Sequence, residues 1–429
     1  MTFLRPSIAP LFALLAAAAC QPARSPQAIA ALPDTAFNEV ARLERVHDYF
    51  TLRERIRQIS DTNALASLFA RAVLARAMNR PAASNELLAR LLRLPDLGDS
   101  LVAVARGLEM DNDLRLFAYP AGLAAASAVL ASPAQLDSEV LRDTRNTERV
   151  FRALALVPPQ SVLTTGPTLL TLAQGRIPVS VNDSSRRYVF DTGANLSTIM
   201  RSEAAAIGLR IIPARIDVGT STDRRVTADL AVADRLSIGA MNFRNVVFLV
   251  LDDQLLTFPD GSRIPGIIGF PVIEQMGEVH LRGKTELYVP ATAPRRTQQN
   301  LALAGMTLLT PVRWEQSTLL CGLDTGADHT RVYDHFYRSH RTWVDERSQT
   351  AERRIGGVGG VHATPVRVTT DVRLAAGDSA TTLKKLDVLL QRIVPNERED
   401  YLDCNVGHDV FDSFSETIVN FRDMAFLLR

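Results

Sequence analysis

The hydrophobic and polar positions follow two different patterns along the chain. Between residues 37 and 157, apolar side chains recur at spacings of three and four, as at Leu65, Leu68 and Ala72. This period matches one face of an amphipathic helix. Beyond a break rich in proline and glycine, apolar and polar residues alternate in short runs such as 177–181, which is the pattern of half-buried strands. The sequence therefore predicts a multidomain protein, with an N-terminal all-α region followed by a mainly-β region.

A weak internal repeat runs through the helical region at an offset of 33 residues. The matching positions are Ser67, Leu68, Ala70 and Ala72 in one copy, and Ser100, Leu101, Ala103 and Ala105 in the other. This period is typical of paired-helix repeats of the tetratricopeptide type. A generic helical bundle produces the same pattern, so both interpretations stay open.

The β region is divided by a second proline-rich stretch, residues 290–300, into segments at 166–290 and 301–429. Each segment contains the sequence Asp-Thr-Gly-Ala after an apolar residue, beginning at Asp191 in the first copy and at Asp324 in the second. A polar turn precedes both copies. An internal duplication with one aspartate per copy is the simplest account, and it predicts two β lobes.

A second pair of landmarks supports the duplication. Gly269 follows Asp191 by 78 residues, Gly407 follows Asp324 by 83, and apolar residues precede each glycine. Asn405 stands in the second of these runs where another apolar residue is expected. The pattern therefore does not predict how Asn405 packs.

Two aspartates brought together can hydrolyse a peptide bond without a metal or a covalent intermediate. Carboxyl groups about 3 Å apart cannot both ionise cheaply, so the pair holds one proton over a range of pH. The ionised member takes a proton from the attacking water, while the protonated partner hydrogen-bonds the scissile carbonyl. We predict Asp191 and Asp324 as this catalytic pair. The sequence does not distinguish which of them starts ionised.

The residues that follow each aspartate suit such a site. Gly193 and Gly326 permit the tight backbone turn that two loops need in order to meet. The hydroxyl groups of Thr192 and Thr325 are short enough to bond the backbone of the opposite loop. We therefore expect these four residues to support the active site.

These features together resemble the aspartic protease superfamily. The second copy, residues 323–328 with Thr330, is similar to the retroviral-type proteases (retropepsins), and the glycine-rich run 354–361 resembles the flap that closes over their substrates. The resemblance covers residues 169–429 and implies a two-lobed aspartic protease fold. Retropepsins assemble two identical chains, whereas both halves lie in one chain here, as in pepsins. A monomer is therefore expected to hold a complete site.

The resemblance implies roles for further residues. Gly219 is the best flap candidate of the first lobe, although this segment lacks the tyrosine of pepsin-like flaps. The substrate-binding flap of the second lobe would contain Gly356, Gly357, Gly359 and Gly360. The family also places the strands of Cys321 and Cys404 together, which implies a disulfide. Two buried thiols are the alternative.

Ala194 and Ala327 stand where pepsins commonly carry serine or threonine. Without that hydroxyl, a carboxylate loses one hydrogen bond that favours its ionised form, so the pair should titrate at a higher pH. We therefore expect activity at weakly acidic to neutral pH.

The first residues have the composition of an export signal. Arg5 precedes an apolar run that leads through small residues to Cys20, and this run is too short to span a bilayer. A cysteine in this position resembles the lipobox of bacterial lipoproteins. We expect a signal peptide at 1–19, lipidation of Cys20 as a membrane anchor and a tether at 20–36. Gln21 mildly favours the periplasmic face of the outer membrane; a soluble secreted protein is the alternative.

The charge balance and the positions of the histidines argue against two classes of function, nucleic-acid binding and metal-dependent catalysis. Lys and Arg number 48 against 47 Asp and Glu, so there is no strong positive field to attract nucleic acid. The seven histidines never form a His-Glu-x-x-His sequence. We expect no nucleic-acid partner, no metal and no cofactor.

The sequence therefore predicts an aspartic-type endopeptidase, a hydrolase whose polypeptide substrate lies extended between flap and catalytic pair as an added strand. The helical domain at 37–157 is a candidate site for a protein partner. Two alternatives use the same residues differently. One is a non-catalytic peptide-binding protein on this scaffold, and the other is a helical adaptor lipoprotein whose β lobes are structural.

Overall fold

The computed structural model describes residues 35–58, 64–219, 225–358, 360–392 and 401–429. Cys20 and the predicted signal peptide and tether up to residue 34 lie outside this part of the chain. Within it, a helical region precedes a mainly-β region, which confirms the predicted fold class. No helix among the described residues is long and apolar enough to cross a membrane.

Seven helices form the described part of the N-terminal region. They are α1 (Thr35–Arg45), α2 (Tyr49–Ile56), α3 (Leu65–Ala77), α4 (Pro81–Leu91), α5 (Asp99–Arg115), α6 (Tyr119–Leu130) and α7 (Ser138–Leu154). Local sequence determines where several of these helices begin. The side chains of Asp48 and Asp137 accept hydrogen bonds from backbone N–H groups in the first turns of α2 and α7. Pro81 begins α4, where its missing N–H costs nothing.

The repeated residues fall on equivalent helices. One copy lies on α3, which packs against α4, and the other lies on α5, which packs against α6. The leucines and alanines of both copies are buried. The offset of 33 residues therefore separates the first helices of two successive helix pairs.

Lobe 1 is an eight-stranded sheet in the order β1-β8-β5-β9-β4-β3-β7-β6. Its strands are β1 (Ser161–Thr164), β3 (Arg176–Val181), β4 (Ser184–Phe190), β5 (Ser197–Met200), β6 (Arg210–Gly219), β7 (Arg225–Ile238), β8 (Met241–Leu251) and β9 (Gly266–Ile268). The described residues of this lobe also form two helices, α8 (Arg201–Ala206) and α9 (Phe270–Glu274). A 3-10 turn spans Asp253–Leu256.

Lobe 2 repeats this plan in the order β12-β13-β14-β19-β15-β18-β17-β16. Its strands are β12 (Ala302–Ala304), β13 (Thr307–Trp314), β14 (Ser317–Leu323), β15 (Arg331–Val332), β16 (Ser348–Gly357), β17 (Gly360–Ala376), β18 (Ser379–Leu389) and β19 (Cys404–Val406). Its helices, among the residues that the structure describes, are α10 (Asp334–Ser339), α11 (Arg341–Arg347) and α12 (His408–Phe411). In each lobe, the strand that leads to Asp-Thr-Gly pairs in parallel with a short strand ahead of the downstream glycine.

A five-stranded sheet joins the lobes in the order β2-β11-β10-β20-β21. Lobe 1 contributes β2 (Thr168–Thr171), β10 (Glu278–Arg282) and β11 (Glu286–Val289), and lobe 2 contributes β20 (Glu416–Asn420) and β21 (Ala425–Leu428). The antiparallel pairing of β10 with β20 ties the two halves through backbone hydrogen bonds.

The helical region shares its core with both lobes. Buried residues of α5, α6 and α7 belong to the same hydrophobic cluster as the core of lobe 1, and those of α1 to α5 cluster with strands of lobe 2. Polar contacts reinforce the packing: Arg115 pairs with Glu274 at 2.9 Å, and Asn79 donates to the Phe421 carbonyl at 2.9 Å. The helices and the lobes are therefore packed as one unit.

Candidate active site

Each Asp-Thr-Gly loop leaves the end of a buried central strand. The backbone N–H of Asp191 donates to the Ile268 carbonyl and that of Asp324 to the Val406 carbonyl, both at 3.0 Å. The two bonds are equivalent, because β4 pairs with β9 in the way that β14 pairs with β19. Both aspartates are buried, each with 2% of its surface exposed.

Two threonines connect the loops across the lobe boundary. The Thr192 hydroxyl donates to the Leu323 carbonyl at 3.0 Å and accepts from the Thr325 N–H at 3.1 Å. The Thr325 hydroxyl makes the reciprocal pair, with the Phe190 carbonyl and the Thr192 N–H, both at 3.0 Å. Each hydroxyl thus both donates to and accepts from the opposite loop, which fixes the spacing of the two aspartates.

The carboxyl groups are held by their own loops. The N–H of Gly193 donates to Asp191 Oδ1 at 2.7 Å, and the N–H of Gly326 donates to Asp324 Oδ1 at 2.8 Å. A Cβ at position 193 would lie 2.7 Å from Asp324 Cγ, so the Asp324 carboxyl group rests against the loop that carries Asp191. Any larger residue at 193 would displace it.

Asn405 is a site residue that the sequence pattern did not predict. Its side-chain Nδ2 donates to Asp324 Oδ2 at 2.9 Å. A hydrogen bond of this kind favours an ionised carboxylate and so opposes, for Asp324, the effect expected from alanine at position 327. The sequence does show Asn405 as a polar residue within an apolar run, but only the fold reveals that its side chain faces Asp324.

The glycine-rich run of lobe 2 lies at the tip of the β16–β17 hairpin. Gly357 pairs with Gly360 at its end, Gly360 has a φ of 122°, and Gly356, Gly357 and Val358 are buried. Gly359 lies outside the described residues. The hairpin tip is thus packed against protein.

Gly219 is the last residue of β6, in the hairpin with β7. The residues that follow it, 220–224, lie outside the described part of the chain. The helical region contacts this hairpin just before Gly219. Asn146 of α7 donates to the Asp217 carbonyl at 2.9 Å and accepts from the Asp217 N–H at 2.8 Å.

Titratable groups of lobe 2 lie beside the second loop. Burial raises the pKa of Asp328 to about 7, against the opposing charges of His408 and Arg331. The His408 ring bonds the Thr325 carbonyl at 3.0 Å and Asp412 at 3.1 Å. Although burial alone would lower it, the pKa of His408 is raised, mainly by Asp412.

Cys321 and Cys404 form a disulfide, with their Cα atoms 4.5 Å apart. The bond connects β14, which leads into Asp324, to β19, which carries Asn405. It therefore lies beside the second Asp-Thr-Gly loop. Among the described residues, no group of three or more His, Cys, Asp or Glu side chains is arranged to hold a metal ion.

Residues 177–272 match a family model described as aspartyl protease. The match lies in lobe 1 and includes the first Asp-Thr-Gly loop. It confirms, for this part of the chain, the resemblance to aspartic proteases on which the sequence interpretation rests.

A solved structure with some similarity is a retropepsin-like aspartic protease from Rickettsia conorii. It is 16% identical, the similarity covers 31% of this chain and 94% of that chain, and the TM-score is 0.21. No curated protein matches the sequence.

Proposed function

We propose that this protein is an aspartic endopeptidase, which hydrolyses peptide bonds with a water activated between Asp191 and Asp324. The observation that carries the proposal is the reciprocal bonding of Thr192 and Thr325, because it brings two equivalent aspartate loops together in one chain. Two carboxyl groups in one buried site suit general acid–base hydrolysis.

The substrate in this proposal is an extended polypeptide. The β16–β17 hairpin is long and ends in glycines, which supports its assignment as the flap over the peptide. Backbone hydrogen bonds from such a hairpin would bind the substrate as an added strand. Gly219 is proposed as the lobe 1 counterpart, and one chain supplies both halves of the site.

The test is hydrolysis of a diverse peptide mixture between about pH 4 and 8. We expect the wild type to cleave, and Asp191→Asn and Asp324→Asn each to abolish cleavage while leaving the fold intact. Asp378→Asn is the matched control, since it makes the same chemical change in an exposed turn of lobe 2. Cleavage retained in either active-site variant would exclude the shared pair.

A folded wild type that binds peptides without cleaving them would favour the non-catalytic peptide-binding alternative. Isothermal titration of Asp191→Asn with the same peptides separates these cases, because a protease inactivated in this way still binds its substrates. A protein that binds no peptide in either form would leave the helical adaptor as the better description.

We also propose that the protein is exported and anchored through lipid on Cys20. The sequence around Cys20 supports this, and its test is the mass of the N-terminal peptide from membrane fractions of wild type and Cys20→Ser. A lipid-sized mass increase in the wild type alone is the expected result. Unmodified Cys20 in secreted protein would contradict it.

A further inference from the structure

One pair of residues in lobe 2 departs from its counterpart in lobe 1. In register, β14 and β19 place Gly322 beside Asn405, whereas β4 and β9 place Val189 beside Ile267. Both pairs directly precede the backbone bond that anchors a catalytic loop. Two large apolar side chains in lobe 1 thus correspond to a glycine and an amide in lobe 2.

Gly322 provides the space that the amide occupies. A Cβ at position 322 would lie 2.9 Å from Asn405 Oδ1, closer than non-bonded atoms approach, so any other residue would push the amide aside. Only 9% of the surface of Asn405 is exposed. Burying an amide is unfavourable unless it is hydrogen-bonded, and Asn405 Nδ2 is bonded to Asp324 Oδ2 at 2.9 Å.

Both oxygens of Asp324 therefore accept from N–H donors. The Gly326 N–H reaches Oδ1 at 2.8 Å, and the Asn405 amide reaches Oδ2. Donors of this kind favour the negatively charged form of a carboxyl group. At the position that corresponds to Asn405, lobe 1 has Ile267, whose side chain cannot donate. The two halves of the site thus differ at this position, which has a hydrogen-bond donor in lobe 2 and an apolar side chain in lobe 1.

We infer that Asn405 is a positioning residue that makes Asp324 the ionised member of the pair and leaves the shared proton on Asp191. The inference rests on the proposed function and assigns the two roles within it. In the hydration step, the water oxygen bonds to the scissile carbonyl carbon and one water proton passes to Asp324. The Asp191 proton passes to the carbonyl oxygen. A neutral gem-diol forms, with Asp324 protonated and Asp191 ionised.

Several other charged groups lie around the loop that carries Asp324, and their charges act on the Asp324 carboxyl group. They are Asp191 on the facing loop, and Asp328, Arg331, His408, Asp409 and Asp412 of lobe 2. All of them are present in wild type and in variants at position 405. A difference between two such titrations therefore isolates the contribution of the amide.

The test compares Asn405→Leu, which keeps the approximate shape, and Asn405→Ala, which adds no bulk, with the wild type. Ile267→Leu is the matched control at the equivalent position of lobe 1. Two quantities are measured in the full-length protein: kcat/KM against pH, and the titration of carboxyl groups by NMR with ¹³C-labelled aspartate, assigned with Asp324→Asn. The NMR measurement needs no turnover.

Loss of the amide is expected to raise the lower apparent pKa of the pair by about one pH unit, since hydrogen bonds to charged groups have this strength. The upper apparent pKa should stay in place, because Asp324 is already ionised when the second proton leaves. The acid limb of the profile then moves to higher pH, and kcat/KM at pH values below that limb falls about tenfold. Ile267→Leu should move neither limb.

Two results would overturn the inference. Movement of the upper limb instead of the lower would place the proton on Asp324, with Asn405 acting as acceptor from it. Unmoved limbs in both variants would reduce Asn405 to a packing role. A wild type that hydrolyses nothing would defeat the proposed function alone, because the NMR titration would still show whether the amide lowers the first pKa of the pair.

Discussion

Thr192 Oγ1 lies 3.0 Å from the carbonyl oxygen of Leu323, across the boundary between the two lobes. Together with its reciprocal bond from Thr325, this contact is a direct hydrogen-bonded link between the two Asp-Thr-Gly loops. The link is buried. When it is lost, the backbone groups that took part in it cannot form hydrogen bonds with water instead.

Thr192→Val should therefore weaken both the fold and the activity. The variant keeps the shape of the side chain but leaves the Leu323 carbonyl and the Thr325 N–H without this partner. We expect a loss of about 2 kcal/mol in the free energy of unfolding. We also expect a fall of about 100-fold in kcat/KM as the aspartates lose their spacing. Urea unfolding and peptide cleavage are the measurements.

Thr192→Ser is the matched control for that experiment, because it retains the hydroxyl and loses only a methyl group. It should keep most of the activity. Equal losses in the serine and valine variants would show that the methyl packing, and not the hydrogen bond, holds the loops.

The helical region should restrain the β6–β7 hairpin through Asn146. Its amide makes two bonds to the backbone of Asp217, and Asn146 itself is 2% exposed. Asn146→Ala should cost about 1–2 kcal/mol of stability and speed hydrogen exchange of the Asp217 amide, measured by NMR.

Arg149→Ala supplies the comparison at the same contact. Arg149 pairs with the Asp217 carboxylate at 2.6 Å, but the two side chains are 41% and 39% exposed. Exposed ion pairs contribute less than about 1 kcal/mol, so this variant should change little. If Arg149→Ala destabilised the protein more than Asn146→Ala, the backbone contact would not be the main restraint.

Glu278 should govern acid stability. It lies on β10 of the joining sheet, where Arg296 donates to both of its oxygens, at 2.8 and 2.9 Å, and Asn420 of lobe 2 donates at 2.7 Å. Burial alone would raise the pKa of Glu278, but hydrogen bonds from Arg296, Asn420 and His280 lower it from 4.5 to about 2.

The lowered pKa determines how the contribution of Glu278 to stability changes with pH. The folded state favours ionised Glu278, so its contribution, about 3 kcal/mol, is complete above pH 4.5 and is lost as the pH falls toward 2. Glu278→Gln should therefore be less stable than wild type at pH 7, and the difference should shrink below pH 4.5. Chemical unfolding at a series of pH values measures it.

Glu286→Gln is the control, an exposed glutamate on the adjacent strand β11. It should leave the pH dependence unchanged. If the difference in free energy of unfolding between wild type and Glu278→Gln stayed constant from pH 7 to pH 3, the result would contradict an ionised Glu278 in the folded state.

The disulfide should stabilise the second lobe. It closes a separation of 83 residues, and a loop of that length is expected to contribute about 4 kcal/mol by restricting the unfolded chain. Reduction of the wild type should lower its free energy of unfolding by that amount and expose two thiols to alkylation. The double variant Cys321→Ala/Cys404→Ala should not respond to reductant. Two cysteines labelled before reduction would contradict the bond.

Local sequence determined much of this protein. The helical period between residues 37 and 157 and the alternation that follows are short-range patterns, because a helix or strand buries one face whatever it packs against. The duplicated Asp-Thr-Gly-Ala could be read for the same reason, as Asp191 and Asp324 repeat one local arrangement in two places. Family resemblance then supplied the expectation that the copies meet.

The tertiary structure alone decided the contacts between residues that are distant in sequence. Asn405 and Asp324 are 81 residues apart, and nothing in the apolar pattern reveals that the amide faces the carboxylate. The same holds for Asn146 on the backbone of Asp217 and for Asn420 on Glu278. A hydrogen bond depends on where the fold brings a donor, and the local periodicity of a chain contains no information about that distance.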